Sequence, residues 1–230
     1  MPLLEILYKD DYLVAINKPH GLLVHKTRLA VDATQFALQE VRNLVGQTVY
    51  PIHRLDRKTS GVLLFGLSED IHKRMQKAFA ERQVAKTYWA IVRGYTDASG
   101  TIDYPLTNES GKTQDAISHY KTLSQTELQI PFGKHKTSRY SWVEIQPETG
   151  RMHQIRKHFA HIFHPIIADR SHGCNKQNRL FKEKWQMETM LLHARELHFD
   201  HPITQCAVSI TANLHDEFQR MMHLMSFKNN

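Results

Sequence analysis

The sequence predicts an α+β fold, a central mixed and mainly antiparallel β-sheet with flanking helices. Three observations lead there. Short apolar runs of strand length recur, such as YLVAI at 12–16 and GVLLFGL at 61–67. Between them lie segments with apolar residues at helical spacing, such as Ile71, Met75, Ala78 and Phe79. The two kinds of segment do not alternate as a regular βαβ series would.

Residues 4–8 and 12–16 read as two strands joined by the acidic turn Asp10-Asp11. Asp32 reads as the cap of a helix with Ala37, Val41, Leu44 and Val45 on one face, stopped by Gly46. Strands follow at Val49–Ile52 and Gly61–Leu67, with the polar stretch HRLDRKTS as the loop between them. Ser68 caps the next helix, with Glu69 and Asp70 in its first turn, where the helix dipole favours acid. Lys86–Val92 reads as a strand with Lys86, Tyr88 and Ala90 on one face. Residues 97–115 are polar and rich in turn formers. Strands at 116–123 and 140–146 flank the basic loop PFGKHKTSR, and a helix runs from Met152 to Phe163. The segment from His172 to Lys184 reads as a basic loop, 189–199 and 206–212 as strands, and Asp216–Met225 as a closing helix. No internal boundary is evident, so the expectation is one catalytic domain over 1–230.

The chain has 230 residues, 41% hydrophobic and 23% charged, a composition of soluble globular proteins. The formal charge is +7, with a pI near 9.4, and 16 histidines add charge as pH falls. That balance favours an anionic partner, nucleic acid foremost. Two cysteines without CxxC spacing fit a reducing cytoplasm, and neither a signal peptide nor a membrane-spanning run is evident. No GxGxxG, GxxxxGK[ST], CxxC or GxSxG occurs, so nucleotide cofactors and the common hydrolase triads find no support.

Two segments concentrate chemistry. In HRLDRKTSG (53–61), a single carboxylate, Asp56, sits among His53, Arg54, Arg57 and Lys58. Flanking apolar strands fix its position, and Thr59-Ser60-Gly61 suits a tight turn. In the helix 152–163, Met152, Ile155, Phe159, Ile162 and Phe163 form an apolar stripe with Arg156 at its edge. Arginine cannot lose its charge there. It either reaches out to water or takes a carboxylate partner. His153, His158, His161 and His164 come without acidic or cysteine companions, so no metal is expected.

Five ordered segments resemble the RluA-type pseudouridine synthases: NKPHGLLVH (17–25), HRLDRKTSGVLL (53–64), KTYWAIV (86–92), TGRMHQIRKH (149–158) and LLHARELHFDHP (191–202). The resemblance spans about residues 4–212. It implies the pseudouridine synthase fold with a basic active-site cleft and no cofactor. It implies Asp56 as the catalytic aspartate, Tyr88 as the tyrosine stacking on the uracil, and Arg156 as the aspartate's arginine. Arg54 is similar to the arginine that enters the RNA stack when the base flips out. His53, Lys86 and the apolar Leu192 are implied at the substrate. Arg57, Lys58, Arg151, Lys176, Arg179, Lys182 and Lys184 are candidate RNA contacts. Many relatives carry an N-terminal S4 domain; with the HRLD motif starting at residue 53, none is expected here. PIIADRSHG departs from the family's PIxGDxxYG by Ala168 and His172, and resembles a subgroup modifying uridine 65 of tRNA.

The expected partner is therefore structured RNA, tRNA first, bound by a cytoplasmic monomer. A synthase for ribosomal RNA and a non-catalytic RNA-binding protein are the alternatives. Asp56 could attack the sugar as nucleophile or remove the 2′ proton as base; the sequence supports both equally.

Overall fold

A computed structural model describes residues 4–25 and 35–227. In chain order the elements are β1 (Glu5–Lys9), β2 (Leu13–Lys18), α1 (Ala37–Val45), β3 (Tyr50–Pro51), β4 (Ser60–Gly66), α2 (Glu69–Ala80) and β5 (Ala85–Arg93). There follow β6 (Ser99–Asp103), β7 (Leu106–Thr107), β8 (Thr113–Gln114), β9 (Ile117–Leu128), β10 (Ser138–Pro147), α3 (Gln154–His161), α4 (Asn175–Trp185), β11 (Leu192–Asp200), β12 (Ala207–Thr211) and α5 (Asp216–Leu224). They fall into two units, Met1–Lys86 with Ala194–Asn213, and Thr87–His193 with Leu214–Asn230.

In the first unit the apolar runs become adjacent strands. β1 pairs antiparallel with β2, and β2 with β4, in a register that sets Lys18 opposite Gly61. Every residue of β2 and β4 is buried, as continuous apolar strands require. Leu13, Val62, Leu64, Phe199 and Ile210 form the core with Ile71 and Met75 of α2. Ser68 caps α2 as expected, its Oγ accepting from the Ile71 N–H. α1 ends at Gly46, whose φ of 73° is a left-handed stop. The expected cap Asp32 lies outside the described residues.

In the second unit β5, β10, β9 and β6 follow one another, and the three pairings are antiparallel. Successive side chains of β5 alternate between two cores. Ile91 joins Tyr140, Trp142, Phe181, Phe218 and Met221, with Trp89 packed alongside. Ala90 and Val92 join Val143, Ile145, Ile155 and Phe159, with Tyr88 at the margin. The stretch 97–115 resolves into three short strands, β6 to β8.

Two expectations are corrected. The basic segment 172–184 contains a helix, α4, and only Gln177 and Phe181 of it are buried. So narrow an apolar face gives almost no periodic signal. The helix expected over 152–163 covers only 154–161, leaving Met152 39% and Phe163 88% exposed. Among the described residues, no helix is long and apolar enough to cross a membrane.

Candidate active site

The Asp56 loop is fastened to the NKPHG turn. Gly21 N–H donates to the Arg57 carbonyl (2.8 Å), and Arg57 Nε donates back to the Gly21 carbonyl (3.1 Å). Thr59 N–H closes a turn onto the Asp56 carbonyl at 3.0 Å. Lys18, fully buried, sends its Nζ to the carbonyls of Pro19 (2.9 Å), Leu22 (2.8 Å) and Arg57 (3.3 Å). Burial pulls the Lys18 ammonium down to about 7, and the nearby charge of Asp56 opposes the fall. The half-buried Asp56 thus stands on a loop whose backbone is held from beneath by a cation. Gly61 ends the loop at φ 109°, and a Cβ there would lie 2.1 Å from the Ala194 carbonyl oxygen. Only glycine fits.

The flanking residues divide. Arg54 is exposed, open to a ligand, and Arg57 is exposed beyond its bond to Gly21. His53 is not a free substrate contact: its Nε2 accepts from the Leu64 N–H at 3.2 Å, and its ring stacks on Phe79. Burial, together with the charge of Lys86, lowers His53 to about 4, so the ring is neutral at pH 7. Burial also lowers Lys86, with Arg82 adding to the effect.

In the second unit, Tyr88 stands half-buried on β5 opposite Ile145. The TGRMHQ turn is organised by Gln154. Its Oε1 accepts from Thr149 Oγ1 (2.6 Å) and the Arg151 N–H (3.0 Å), and its Nε2 donates to the Ile117 carbonyl (2.9 Å). Arg151 Nε is bound to the Asp115 carbonyl at 3.1 Å. Arg156 is buried, and its Nε and Nη2 grip Asp169 at 2.7 and 2.8 Å. One carboxylate partner of the kind expected is therefore Asp169. Asp169 also accepts from the N–H groups of Ser171 (2.9 Å) and His172 (3.1 Å). Burial would raise its carboxyl, but these donors outweigh burial and hold it below the usual range.

Ala168 supports this turn at φ 62°, so the position does demand the left-handed conformation that glycine adopts freely. His172, the other departure, has its Nε2 2.9 Å from His153 Nδ1. His158 is fully buried between Ser118 Oγ and the Tyr104 carbonyl. Leu192, expected against the uracil, is only 3% exposed and packs in the core with Ile155 and Phe159. Lys176, Arg179, Lys182 and Lys184 lie exposed on α4. Sequence reasoning gave no role to Lys18, Gln154 or Asp169, although each lies inside a quoted motif.

The description of the family "RNA pseudouridylate synthase" matches residues 12–161, reaching into both units. A "tRNA pseudouridine synthase C" of Vibrio cholerae is 45% identical over 96% of this chain and 95% of its own length. A protein of the same name from Haemophilus influenzae is 43% identical over 99% and 100%. The solved structure of human RNA pseudouridylate synthase domain containing 4 is 26% identical. It superposes with a TM-score of 0.75 over 96% of this chain and 93% of that one. The chain belongs to the RNA pseudouridylate synthases, as an isomerase of the RluA type.

Proposed function

We propose that this enzyme converts uridine 65 of tRNA into pseudouridine, with Asp56 as the catalytic group. The observation that carries the tRNA reading is the shared name of relatives 43–45% identical over nearly the whole chain. The reaction breaks the bond from C1′ to N1 of uracil and forms one from C1′ to C5. The hydrogen on C5 leaves as a proton. The exchange is redox-neutral and needs no electron carrier. Asp56 acts on the sugar as nucleophile or on its 2′ proton as base.

Unstacking the target base costs a few kcal/mol. Tyr88 stacked on the uracil and Arg54 in the vacated place offset that cost. Arg57, Lys58, Arg151 and the cations of α4 meet phosphates. The enzyme works as a monomer in the cytoplasm, where its tRNA is.

Tritium release from RNA labelled at uracil C5 tests this, with tRNA and ribosomal RNA transcripts in parallel. Release from tRNA that vanishes when position 65 is cytidine is the expected result. Release from ribosomal RNA alone would overturn the tRNA reading. Asp56→Asn should lower turnover at least roughly a thousandfold. RNA affinity, set mainly by phosphate contacts, should change little. Near wild-type release would remove Asp56 from the mechanism.

A further inference from the structure

An open groove of about 470 Å³ runs beside α4, with Ala168 and Asn178 in its wall and Arg170, Arg179, Lys182 and Glu188 around it. Three cations face one carboxylate. Lys182 Nζ lies 2.5 Å from Glu188, and Arg170 reaches the same group at 3.9 Å. Among the described residues, no carboxylate pairs with Arg179. A site with surplus positive charge and one unneutralised guanidinium suits a phosphodiester.

Asn178 connects this groove with the arginine below it. Its Oδ1 accepts from the Ala168 N–H at 2.9 Å, and its Nδ2 donates to the Asp169 carbonyl at 2.8 Å. It therefore clamps both sides of the left-handed turn at Ala168. Asp169, the next residue, holds Arg156. A non-glycine residue in that conformation costs roughly 1–3 kcal/mol and persists only where its surroundings hold it. Asn178 is what holds it here.

We propose that the groove seats a phosphodiester of the RNA substrate, and that Asn178 couples its occupancy to Arg156. Asn178 is a positioning residue; it acts through Asp169. The inference rests on the RNA synthase reading, so binding and turnover are measured separately.

The test uses the full chain and a labelled tRNA transcript. Arg170→Gln with Arg179→Gln should weaken binding about tenfold and lower the log–log salt slope by about one unit per lost contact. Lys9→Gln, an exposed charge on β1, is the control and should leave the slope unchanged. An unchanged slope in the double variant, or an equal loss in the control, overturns the groove. Asn178→Ala should do the opposite: kcat falls about tenfold while affinity changes less than twofold. Ala168→Gly added to it should restore kcat, because glycine needs no clamp. A loss in affinity alone, or no rescue, overturns the coupling. If Asn178→Ala does not fold, Asn178→Ser, whose single short hydroxyl cannot bridge both the Ala168 N–H and the Asp169 carbonyl, carries the same expectation. No turnover on any RNA, with binding still dependent on Arg170 and Arg179, would sink the synthase reading and leave the groove standing.

Discussion

Among the described residues, each unit buries one lysine or arginine side chain, and the two keep different company. Lys18 is fully buried, its Nζ donates to the carbonyls of Pro19, Leu22 and Arg57, and the charge of Asp56 acts on it as well. Arg156 is as dry but meets a full counter-charge, Asp169, through two parallel bonds. The difference follows from what the side chains can do. A lysine ammonium can shed its proton when solvation is poor. A guanidinium cannot, so it needs an anion. One unit therefore holds a titratable cation under its loop, and the other a permanent charge.

The comparison can be probed region by region, because Trp89, Trp142 and Trp185, the chain's three tryptophans, all lie in the second unit. The largest effect should come from Asp169→Ala, which removes the carboxylate gripped by the buried Arg156. A loss of about 3–5 kcal/mol is expected, read from urea unfolding followed by tryptophan fluorescence. A loss below about 1 kcal/mol would mean that water reaches the guanidinium and that the pair is ordinary surface chemistry.

Lys18→Met should cost less, about 2 kcal/mol, because the orphaned carbonyls are partly offset by removing a poorly solvated charge. It should also change a pH dependence. The folded value of about 7 lies below the unfolded 10.5, so the unfolded chain binds more protons between them. Stability should rise with pH across that window in the wild type and rise less steeply in Lys18→Met, where the lowered Lys86 still contributes, followed by far-UV circular dichroism. A wild type already flat from pH 7 to 10 would show that Lys18 is not poorly solvated.

The smallest effect belongs to His53. Its folded value of about 4 lies below the unfolded 6.5, so stability should be complete above about 6.5 and fall as pH drops towards 4. With a partly exposed ring the loss is about 1–2 kcal/mol. His53→Gln should remove it, and an unchanged acid limb in that variant would place the acid sensitivity elsewhere.

What could be read from the sequence followed the strength of the local signal. β2 and β4 are continuous apolar runs and were legible at once. So was α2, with a cap and an apolar stripe. α4 was not, since its 11 residues bury only Gln177 and Phe181. The site was legible by halves. Helical geometry showed that a buried Arg156 would require a carboxylate, but not which one. One such carboxylate, Asp169, lies 13 residues away across a turn whose backbone conformation no periodicity encodes. The burial of His158 was illegible for a related reason: its partners, Ser118 and Tyr104, are 40 and 54 residues distant.

The final glycine of HRLDRKTSG carries a different kind of information from the aspartate five residues before it. Gly61 is dictated by the carbonyl of Ala194, which leaves no room for a Cβ. A search pattern that demands this letter is thus partly a test of how closely two backbones approach. A sequence that had exchanged Asp56 for asparagine would still pass at position 61, with its sheet intact and its proposed chemistry gone. Recognition of the family and competence in the reaction are written at separate positions of the same nine-residue segment, and a variant can keep either one without the other.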